Sequence, residues 1–459
     1  RDLLSALNSP IDGAVPRIGI VLAAGHGKRI RSETSKMLHE IWGRPTGLRV
    51  AQAVQHGLDS PNQVIVVGIK GMAVAQATGS QPGRVFAYQE NPVLGLPAGT
   101  GDAVRVGLQA FAPAENDRDV YVFLGDMGLL TDKVVAQFRQ SFENYPCDMM
   151  VLTGLYSGPT ATNYYGRIVR VPATDATGQP SGNDCDKVIE IREHKDILDL
   201  DPDELYQADY NGRTYTFTQL DLLETREINT GVFAFKEAVL RTYIQQIDTD
   251  NVQGELMLTD LVEIFNRHQL VVRATVAESE DEILAFNNKS VWHYMQAIAR
   301  RWAYDKLKDT ITIVDETDFF IADEVIEQIL IMDKDRGPLD IIIGRGVHIG
   351  PEIQLNRRVS IGDHSLLSGH LILGEGVHIG VGVEISAYPG QTLVLGEGVE
   401  ILSRNIVKGN LQIGAHSRIE SGVIMTGSDE HPMRIGARVT VKGTSYLYGC
   451  LIDDDLLIE

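Results

Sequence analysis

The sequence predicts an α/β domain built on a mostly parallel, Rossmann-like sheet, followed by a parallel β-helix. Three observations indicate this architecture. In the first part of the chain, short apolar runs alternate with helix-like segments. In the last part, an aliphatic residue recurs at every sixth position. At 459 residues, the chain is also too long for one ordinary domain.

Residues 17–285 carry the α/β pattern. Unbroken apolar runs are typical of strands that are covered on both faces, and they occur at Ile18–Leu22, Val64–Gly68, Val120–Leu124, Met149–Gly154 and Gly231–Phe235. Helical patterns fit residues 47–58, 101–112 and 131–143. Sheets of this kind bind ligands at the carboxyl ends of their strands, so we expect the functional site there.

The hexapeptide period begins near residue 343. The repeating aliphatic positions are Ile343, Ile349, Leu355, Ile361, Leu367, Leu373, Ile379 and Ile385, and then, after a slip around Tyr388-Pro389-Gly390, Leu395, Ile401, Val407, Ile413, Ile419 and Met425. One inward aliphatic residue per short strand is the pattern of a parallel β-helix. We expect loops at 386–394 and 426–434, and a connecting helix over 288–308. The predicted divisions are 1–287, 288–310 and 311–459.

The chain is acidic, with a formal net charge of −21. Nucleic acids and anionic membrane surfaces would be repelled by this charge, so we expect neither as a partner. The cysteines Cys147, Cys185 and Cys450 lie far apart, without metal-ligand spacing, which favours a reducing cytoplasm over a disulfide framework or zinc site. Residues 1–16 lack the pattern of a secretory leader, and no run of about 18 apolar residues occurs.

A glycine-rich segment follows the first apolar run. Small residues at Ala23, Ala24, Gly25 and Gly27 allow backbone N–H groups to approach a phosphate closely. Arg29 and Lys36 can supply cationic contacts to the same phosphates. In isolation, such a segment can also be a turn that only reverses the chain.

The segment Leu22–Ile30, read as LAAGxGxR, together with Ser35–Leu38, resembles the signature of sugar-1-phosphate nucleotidyltransferases. The resemblance is closest to the uridyltransferase half of bifunctional N-acetylglucosamine-1-phosphate uridyltransferases. It implies catalytic roles for Arg29 and Lys36, and nucleotide contacts from Leu22, Ala23, Ala24 and Gly25. Lys28 and Ser35 depart from the threonine and proline usual in the family.

Further motifs of the family follow in order. Tyr88-Gln89 and Ala98–Ala103 resemble the base-recognising segment, which implies that Gln89, Gly99 and Thr100 bind the nucleotide. Phe123–Asp126 resembles the motif whose aspartate binds catalytic Mg²⁺, and Asn287 matches the second metal ligand. Mg²⁺ prefers oxygen ligands, so one carboxylate, one amide and the substrate phosphates would suffice. Taken singly, Asp126 can also be a turn residue.

Four segments resemble the sugar-binding motifs of the same family. They imply sugar contacts from Gly166 in YGR, Glu193 in EHKD, Asn229 in EINTG and Thr259 in GELMLTD. Between the second and third segments, Asn211-Gly212 lies between strand-like residues and predicts a β-hairpin. This insertion, 197–226, lies beside a sugar motif in the sequence, so it is a candidate determinant of sugar choice.

The expected function is transfer of a nucleotidyl group from UTP to N-acetylglucosamine 1-phosphate or a related hexose 1-phosphate. Alternatives are a pyrophosphorylase making ADP-, GDP- or dTDP-sugars, and a non-catalytic scaffold that binds nucleotide sugars. The hexapeptide repeats resemble the left-handed β-helix of acyltransferases, and the family's β-helices imply a homotrimer. The acetyltransferase motifs of the bifunctional enzymes are missing between Ile343 and Glu459, so acetyl transfer is not expected. The nearest candidate base is His431.

Overall fold

The computed structural model describes residues 2–25, 30–114, 117–335 and 337–459. The chain forms two compact units, which meet in the sequence between Met295 and Gln296. This division falls inside the helix Lys289–Leu307, where the sequence predicts a connecting helix. The boundaries at 287/288 and 310/311 stay predictions.

The first unit is built on a nine-stranded sheet. Its main path runs Val272–Val276, Met149–Leu155, Glu227–Lys236, Asp119–Leu124, Arg17–Ala23, Gln63–Val67 and Arg84–Tyr88. All neighbours on this path are parallel except Glu227–Lys236, which is antiparallel to the strands on both sides. The prediction of a mostly parallel sheet is therefore confirmed. The carboxyl ends of the parallel strands lie at one edge.

Apolar side chains on both faces of this sheet form two core clusters. The covering helices include Thr46–Leu58, Gly71–Thr78, Thr100–Gln109, Asp132–Asn144, Glu237–Tyr243 and Leu261–Arg267. The strand Arg17–Ala23 is buried along six of its seven residues, because it lies mid-sheet between two parallel neighbours. This explains its unbroken apolar sequence.

A smaller region extends the first unit beyond the main sheet. The strands Arg167–Arg170 and Val188–Arg192 pair antiparallel to each other, and Ile228 pairs with Arg167. The predicted hairpin is present as Tyr206–Tyr210 and Arg213–Phe217. Its turn residues both adopt positive φ, 48° at Asn211 and 75° at Gly212, as a two-residue Asn-Gly turn requires.

The second unit is a parallel β-helix of the predicted left-handed class. Its short strands form three parallel sheets of eight, seven and six strands. Each strand pairs with the equivalent strand of the next coil, as where Ile343 pairs with Ile361 and Ile361 with Ile379. The aliphatic residues of the hexapeptide period are buried, with at most 5% exposure.

The predicted loops of the β-helix are shorter than expected. Strands end at Ser386 and Gly427 and resume at Thr392 and Met433, so the loops cover only 387–391 and 428–432. The first coil begins with Thr312–Ile313 and Phe319–Ile321. A helix that the period did not predict, Asp323–Lys334, follows. Among the described residues, no helix is long and apolar enough to cross a membrane.

Candidate active site

The predicted phosphate loop begins where the strand Arg17–Ala23 ends. Leu22 and Ala24 are 8% exposed, whereas Gly25 is exposed. Gly125 closes against this turn, because its N–H donates to the Leu22 carbonyl at 3.0 Å. The structure therefore brings the end of this strand beside the Asp126 segment. Residues 26–29 lie outside the described part of the chain, so the role predicted for Arg29 stays a prediction.

Lys36 connects the two predicted metal ligands. Its ammonium donates to Asp126 Oδ2 and, at 2.7 Å, to Asn287 Oδ1. The Lys36 side chain is 7% exposed and that of Asp126 is 14% exposed. The Phe286 ring lies under the ammonium, with its centroid 5.3 Å from Nζ, a cation–π contact. The fold thus brings three predicted site residues into one polar cluster.

This cluster offers the oxygen ligands that Mg²⁺ prefers. Asp126 Oδ1 is buried and has no hydrogen-bond partner among the described residues, although its other oxygen accepts from Lys36. A buried carboxylate oxygen that lacks a partner is costly unless a ligand or ion completes it. Together with the Asn287 amide oxygen, it fits a divalent cation that also contacts substrate phosphates.

The base segment forms a second cluster at the same edge of the sheet. Gln89 follows the strand Arg84–Tyr88, and its backbone N–H donates to the Val67 carbonyl at 2.8 Å. Its side-chain amide nitrogen lies 2.7 Å from Asp102 Oδ2 and 3.3 Å from the Gly99 carbonyl oxygen. Gln89 and Gly99, which the sequence assigns together to the nucleotide, are therefore in contact.

A tight backbone approach links the base segment to the Thr259 segment. Gly99 has a φ of 128°, and a Cβ there would lie 2.5 Å from the Leu256 carbonyl oxygen. The Thr100 hydroxyl accepts from the Leu258 N–H at 3.0 Å. Thr259 follows in the turn Leu258–Asp260 and is 7% exposed. Glycine is required at position 99 because any side chain would clash with the adjoining backbone.

The remaining sugar motifs converge at the bulge of the antiparallel strand. The register of this strand shifts between Asn229 and Val232, and the Asn229 N–H donates to the Gly166 carbonyl at 2.9 Å. A Cβ on Gly166 would lie 3.0 Å from Glu193 Oε1. Gly166, Glu193 and Asn229 thus form one group. Gly231, with a φ of 79°, allows the bulge to pack closely on Leu124.

Glu193 opens onto an acidic cavity of about 680 Å³, which Asp196, Thr259 and Asp260 also line. Burial, reinforced by the negative charge of Asp196, raises the pKa of Glu193 to about 7. Burial, reinforced by Asp248 and other nearby carboxylates, likewise raises the pKa of Asp260 to about 7. Carboxyl groups with such shifted pKa values often mark functional sites.

Three supporting residues received no role from the sequence motifs. Asp102 holds the Gln89 amide, Phe286 lies under Lys36, and Arg167 is fully buried and donates to the Asn163 carbonyl at 2.7 Å, below the Gly166 turn. Asp102 lies within the segment Ala98–Ala103, Arg167 is the last residue of YGR, and Phe286 directly precedes Asn287. The chemistry of Asp102 and Phe286, an acid in a mostly apolar helix start and an aromatic ring before Asn287, is the signal that could have pointed to them.

Part of the first unit matches a known family of domains. Residues 19–179 match the family model of the MobA-like NTP transferase domain. The chain carries an NTP transferase domain. The match assigns no residue roles, so the contacts predicted with substrate and metal stay predictions, both inside the match, as for Lys36 and Asp126, and outside it, as for Glu193 and Asn287.

Similarity to known proteins extends beyond the transferase domain. The bifunctional protein GlmU of Corynebacterium aurimucosum is 29% identical over 407 residues, covering 88% of this chain and 70% of that protein. GlmU of Acetivibrio thermocellus is 26% identical over 456 residues, covering 95% and 88%. A solved nucleotidyl transferase from Methanothermobacter thermautotroptrophicus aligns with a TM-score of 0.37 and 13% identity, covering 62% of this chain and 98% of its own.

Proposed function

We propose that this chain transfers a nucleotidyl group from a nucleoside triphosphate to a sugar 1-phosphate and releases pyrophosphate. The favoured pair is UTP with N-acetylglucosamine 1-phosphate or a related hexose 1-phosphate. The observation that carries the proposal is the contact of Lys36 with both Asp126 and Asn287, beside the end of the phosphate-loop strand. The similarity to GlmU supports the choice of substrates.

The reaction needs positioning and charge neutralisation rather than a covalent protein intermediate. A phosphate oxygen of the sugar 1-phosphate attacks the α-phosphorus of the nucleotide in line, and the bond to the departing pyrophosphate breaks. Lys36 can move from the carboxylate to the phosphates and stabilise the charge that develops there. When bound, Mg²⁺ would be held by Asp126 and Asn287 and would neutralise phosphate charge. Glu193, Asn229 and the Gly166 turn would orient the sugar.

A matrix assay tests this function. Several nucleoside triphosphates are mixed with several sugar 1-phosphates and Mg²⁺, and pyrophosphate release is followed. We expect release with UTP and a hexosamine or hexose 1-phosphate, and its loss in Lys36→Met, a substitution that keeps side-chain length without the charge. If the folded wild-type protein releases no pyrophosphate with any substrate pair, the alternative of a non-catalytic scaffold that binds nucleotide sugars is favoured.

The proposed assembly is a homotrimer formed through the β-helix. The stacked outward positions of the seven-stranded sheet include Leu366, Glu384, Ile406, Ile424 and Tyr446 in one column. Apart from the Glu384 carboxylate, which pairs with Lys408, this column is apolar, and Ile424 and Tyr446 are 40% and 68% exposed. A largely apolar column of this kind suits packing against further copies of the chain. Light scattering is expected to give three chains for the wild type and fewer for Ile424→Glu. A monomeric wild type at micromolar concentration would contradict the proposal.

Acetyl transfer is not part of the proposed function. His431 is exposed in the loop 428–432, where its backbone N–H donates to Ser428 Oγ at 3.0 Å and its ring lies edge-on to Tyr448. An exposed histidine in a loop does not by itself indicate a general base, since a catalytic histidine must be oriented toward a substrate. We expect no thiol release from acetyl-coenzyme A with glucosamine 1-phosphate. Release that disappears in His431→Ala would overturn this statement.

A further inference from the structure

A buried carboxylate binds two side-chain amides beside the proposed base site. Asp102 is 5% exposed and Gln89 is 5% exposed. Asp102 Oδ2 accepts from the Gln89 amide at 2.7 Å, and Oδ1 accepts from the Asn91 amide, also at 2.7 Å. The second contacts of these amide nitrogens are backbone carbonyls, Gly99 for Gln89 at 3.3 Å and Pro97 for Asn91 at 3.0 Å.

The hydrogens of the Gln89 amide can be counted from these contacts. A primary amide has two N–H donors on its nitrogen and one carbonyl oxygen. Both donors of Gln89 have acceptors within the protein, Asp102 and the Gly99 carbonyl. An ionised carboxylate only accepts hydrogen bonds, and its charge makes the bond stronger than a neutral one. The contact with Asp102 therefore fixes which end of the Gln89 amide faces the carboxylate.

This cluster lies where the base end of a nucleotide would be. Gln89 follows the outermost parallel strand, at the same edge of the sheet as the phosphate loop. The short helix Asn91–Leu94 comes next, and Pro92 lines a cavity of about 420 Å³ together with Gly25, Ser35 and Lys70. A nucleotide whose phosphates meet the loop at Gly25 would direct its base toward Pro92 and Gln89.

We propose that Asp102 is a positioning residue that turns the Gln89 carbonyl oxygen, rather than its NH₂ group, toward the nucleotide base. This inference rests on the proposed function. An unconstrained glutamine could pair with uracil at two points, accepting from N3–H and donating to a ring carbonyl. With both N–H donors held by the protein, Gln89 reads one feature of the base, an N–H donor. Selectivity at this point is therefore for a base edge with that donor.

Two base analogues separate one-point from two-point recognition. The assay measures kcat/KM for the nucleoside triphosphate that the protein turns over best, and for an N-methyl and a thio analogue of it. For UTP these are 3-methyl-UTP, which lacks the N3–H donor, and 4-thio-UTP, whose sulfur is a weaker acceptor than oxygen. We expect the wild type to lose about tenfold or more with the N-methyl analogue. We expect a change of less than about twofold with the thio analogue, because Gln89 has no donor free for it.

Substitution of Asp102 tests its part in this selectivity. Asp102→Leu removes both acceptor oxygens, whereas Asp102→Asn would keep one oxygen that can still accept from Gln89 or Asn91, so Asp102→Leu is the informative variant. Asp102→Leu frees a Gln89 N–H for the base, so discrimination against the thio analogue is expected to rise to about fivefold, the effect of one neutral hydrogen bond. Asn91→Ala is the matched control, because it removes the other amide from the same carboxylate. For Asn91→Ala, the ratio of kcat/KM for the parent nucleotide to kcat/KM for the thio analogue is expected to equal that of the wild type.

The outcomes distinguish this inference from the proposed function. Absence of pyrophosphate release from the wild type with every substrate pair overturns the function. If the wild type already has a clearly lower kcat/KM for the thio analogue than for the parent nucleotide, the inference is overturned while the proposed function stands. That measurement needs no variant. An unchanged ratio in Asp102→Leu, with a melting temperature within a few degrees of the wild type, also overturns the inference. A raised ratio in Asp102→Leu but not in Asn91→Ala supports the inference.

Discussion

Buried polar side chains serve different purposes in the two units of this chain. Among the described residues of the β-helix, they are Ser365, Asn405 and Ser417. Each both donates to and accepts from nearby backbone, as where Ser417 Oγ donates to the Gly436 carbonyl at 2.8 Å and accepts from the Val439 N–H at 3.0 Å. The hydrogen-bonding capacity of these side chains is used within the fold, where they stabilise the backbone of the coils.

The first unit has buried polar groups that bond to backbone in the same way, such as Thr78 and Thr230, and in addition it buries polar side chains that contact one another. Lys36 binds Asp126, and Gln89 binds Asp102. Asp126 also keeps one buried oxygen without a hydrogen-bond partner among the described residues. Burial alone therefore does not distinguish function from structure. Buried atoms without a hydrogen-bond partner among the described residues also occur at Tyr121, Tyr215 and Gln391. What sets Asp126 apart is that its oxygen lies in a cluster with Lys36 and Asn287 beside a strand end, an arrangement that a ligand can complete.

The largest expected effect tests the unsatisfied carboxylate directly. Asp126→Asn keeps the shape of the side chain but removes its charge, so turnover is expected to fall about a hundredfold or more. Steady-state pyrophosphate release measures this loss, with the melting temperature as a check on folding. Near-normal turnover would show that this oxygen is incidental.

A core substitution in the β-helix is expected to lower stability and leave turnover unchanged. Ile401 is fully buried and pairs with Ile379 and Ile419 in the adjoining coils. Ile401→Ala would leave a cavity and lower the free energy of unfolding by about 2–5 kcal/mol, whereas Ile401→Val would cost about 1 kcal/mol. Denaturant unfolding of both variants gives these values. Turnover per folded chain is expected to stay at the wild-type level, and a parallel loss of turnover would break the contrast between the units.

The pH dependence of sugar binding gives a smaller effect. A carboxyl with a pKa of about 7 is half ionised at that pH, and Glu193 must be ionised to accept hydrogens with both oxygens. We therefore expect KM for the sugar phosphate to fall several-fold as the pH rises through 7, beyond the change due to the substrate itself. Glu193→Gln would flatten this part of the profile.

Asp260→Asn is the control for that profile. The Asp260 carboxyl lines the same cavity as Glu193. Its own pKa is raised to about 7 by burial and by nearby carboxylates, of which Glu193 is one. Removing its charge would move the inflection to lower pH without flattening it. The neutral form of Glu193 is favoured on folding, so its contribution to stability is complete below pH 4.5 and is lost as the pH rises toward 7. Identical profiles for wild type and Glu193→Gln would exclude Glu193 from sugar binding.

A hydrogen-bonded buried serine of the β-helix gives a further test of the contrast between the units. Ser417→Ala removes a hydrogen bond to Gly436 and another from Val439. The loss is expected to be about 1–3 kcal/mol of unfolding free energy, with turnover unchanged. Equilibrium unfolding and the pyrophosphate assay on the same sample give both quantities. A change in turnover here would show that the β-helix influences the chemistry.

The sequence predicted the β-helix well because its signal is local and repeated. Each coil needs one small set of aliphatic positions, and these recur with a fixed spacing. The helix Asp323–Lys334 was missed because it lies before Ile343, where that spacing begins. Its own signals, Asp323 and Glu324 in the first turn and buried Val325, Ile326 and Ile329 on one face, were available.

The candidate site was predictable as a set of residues but not as a set of contacts. Lys36 lies 90 residues from Asp126 and 251 from Asn287 in the sequence, and no local pattern encodes that meeting. The orientation of the Gln89 amide was equally hidden, because it depends on which group Asp102 contacts. Motifs indicate which chemistry is present, whereas hydrogen-bond direction requires the folded arrangement.

The loops 387–391 and 428–432 have a consequence for how this β-helix can change. Each lies between coils that remain in register, since Ile379 still pairs with Ile401, and Ile419 with Val441. Extra chain at these corners is absorbed without displacing the strands above or below. The corners are therefore places where segments can be inserted, lengthened or exchanged while the stack stays intact, so new surface can be acquired one coil at a time.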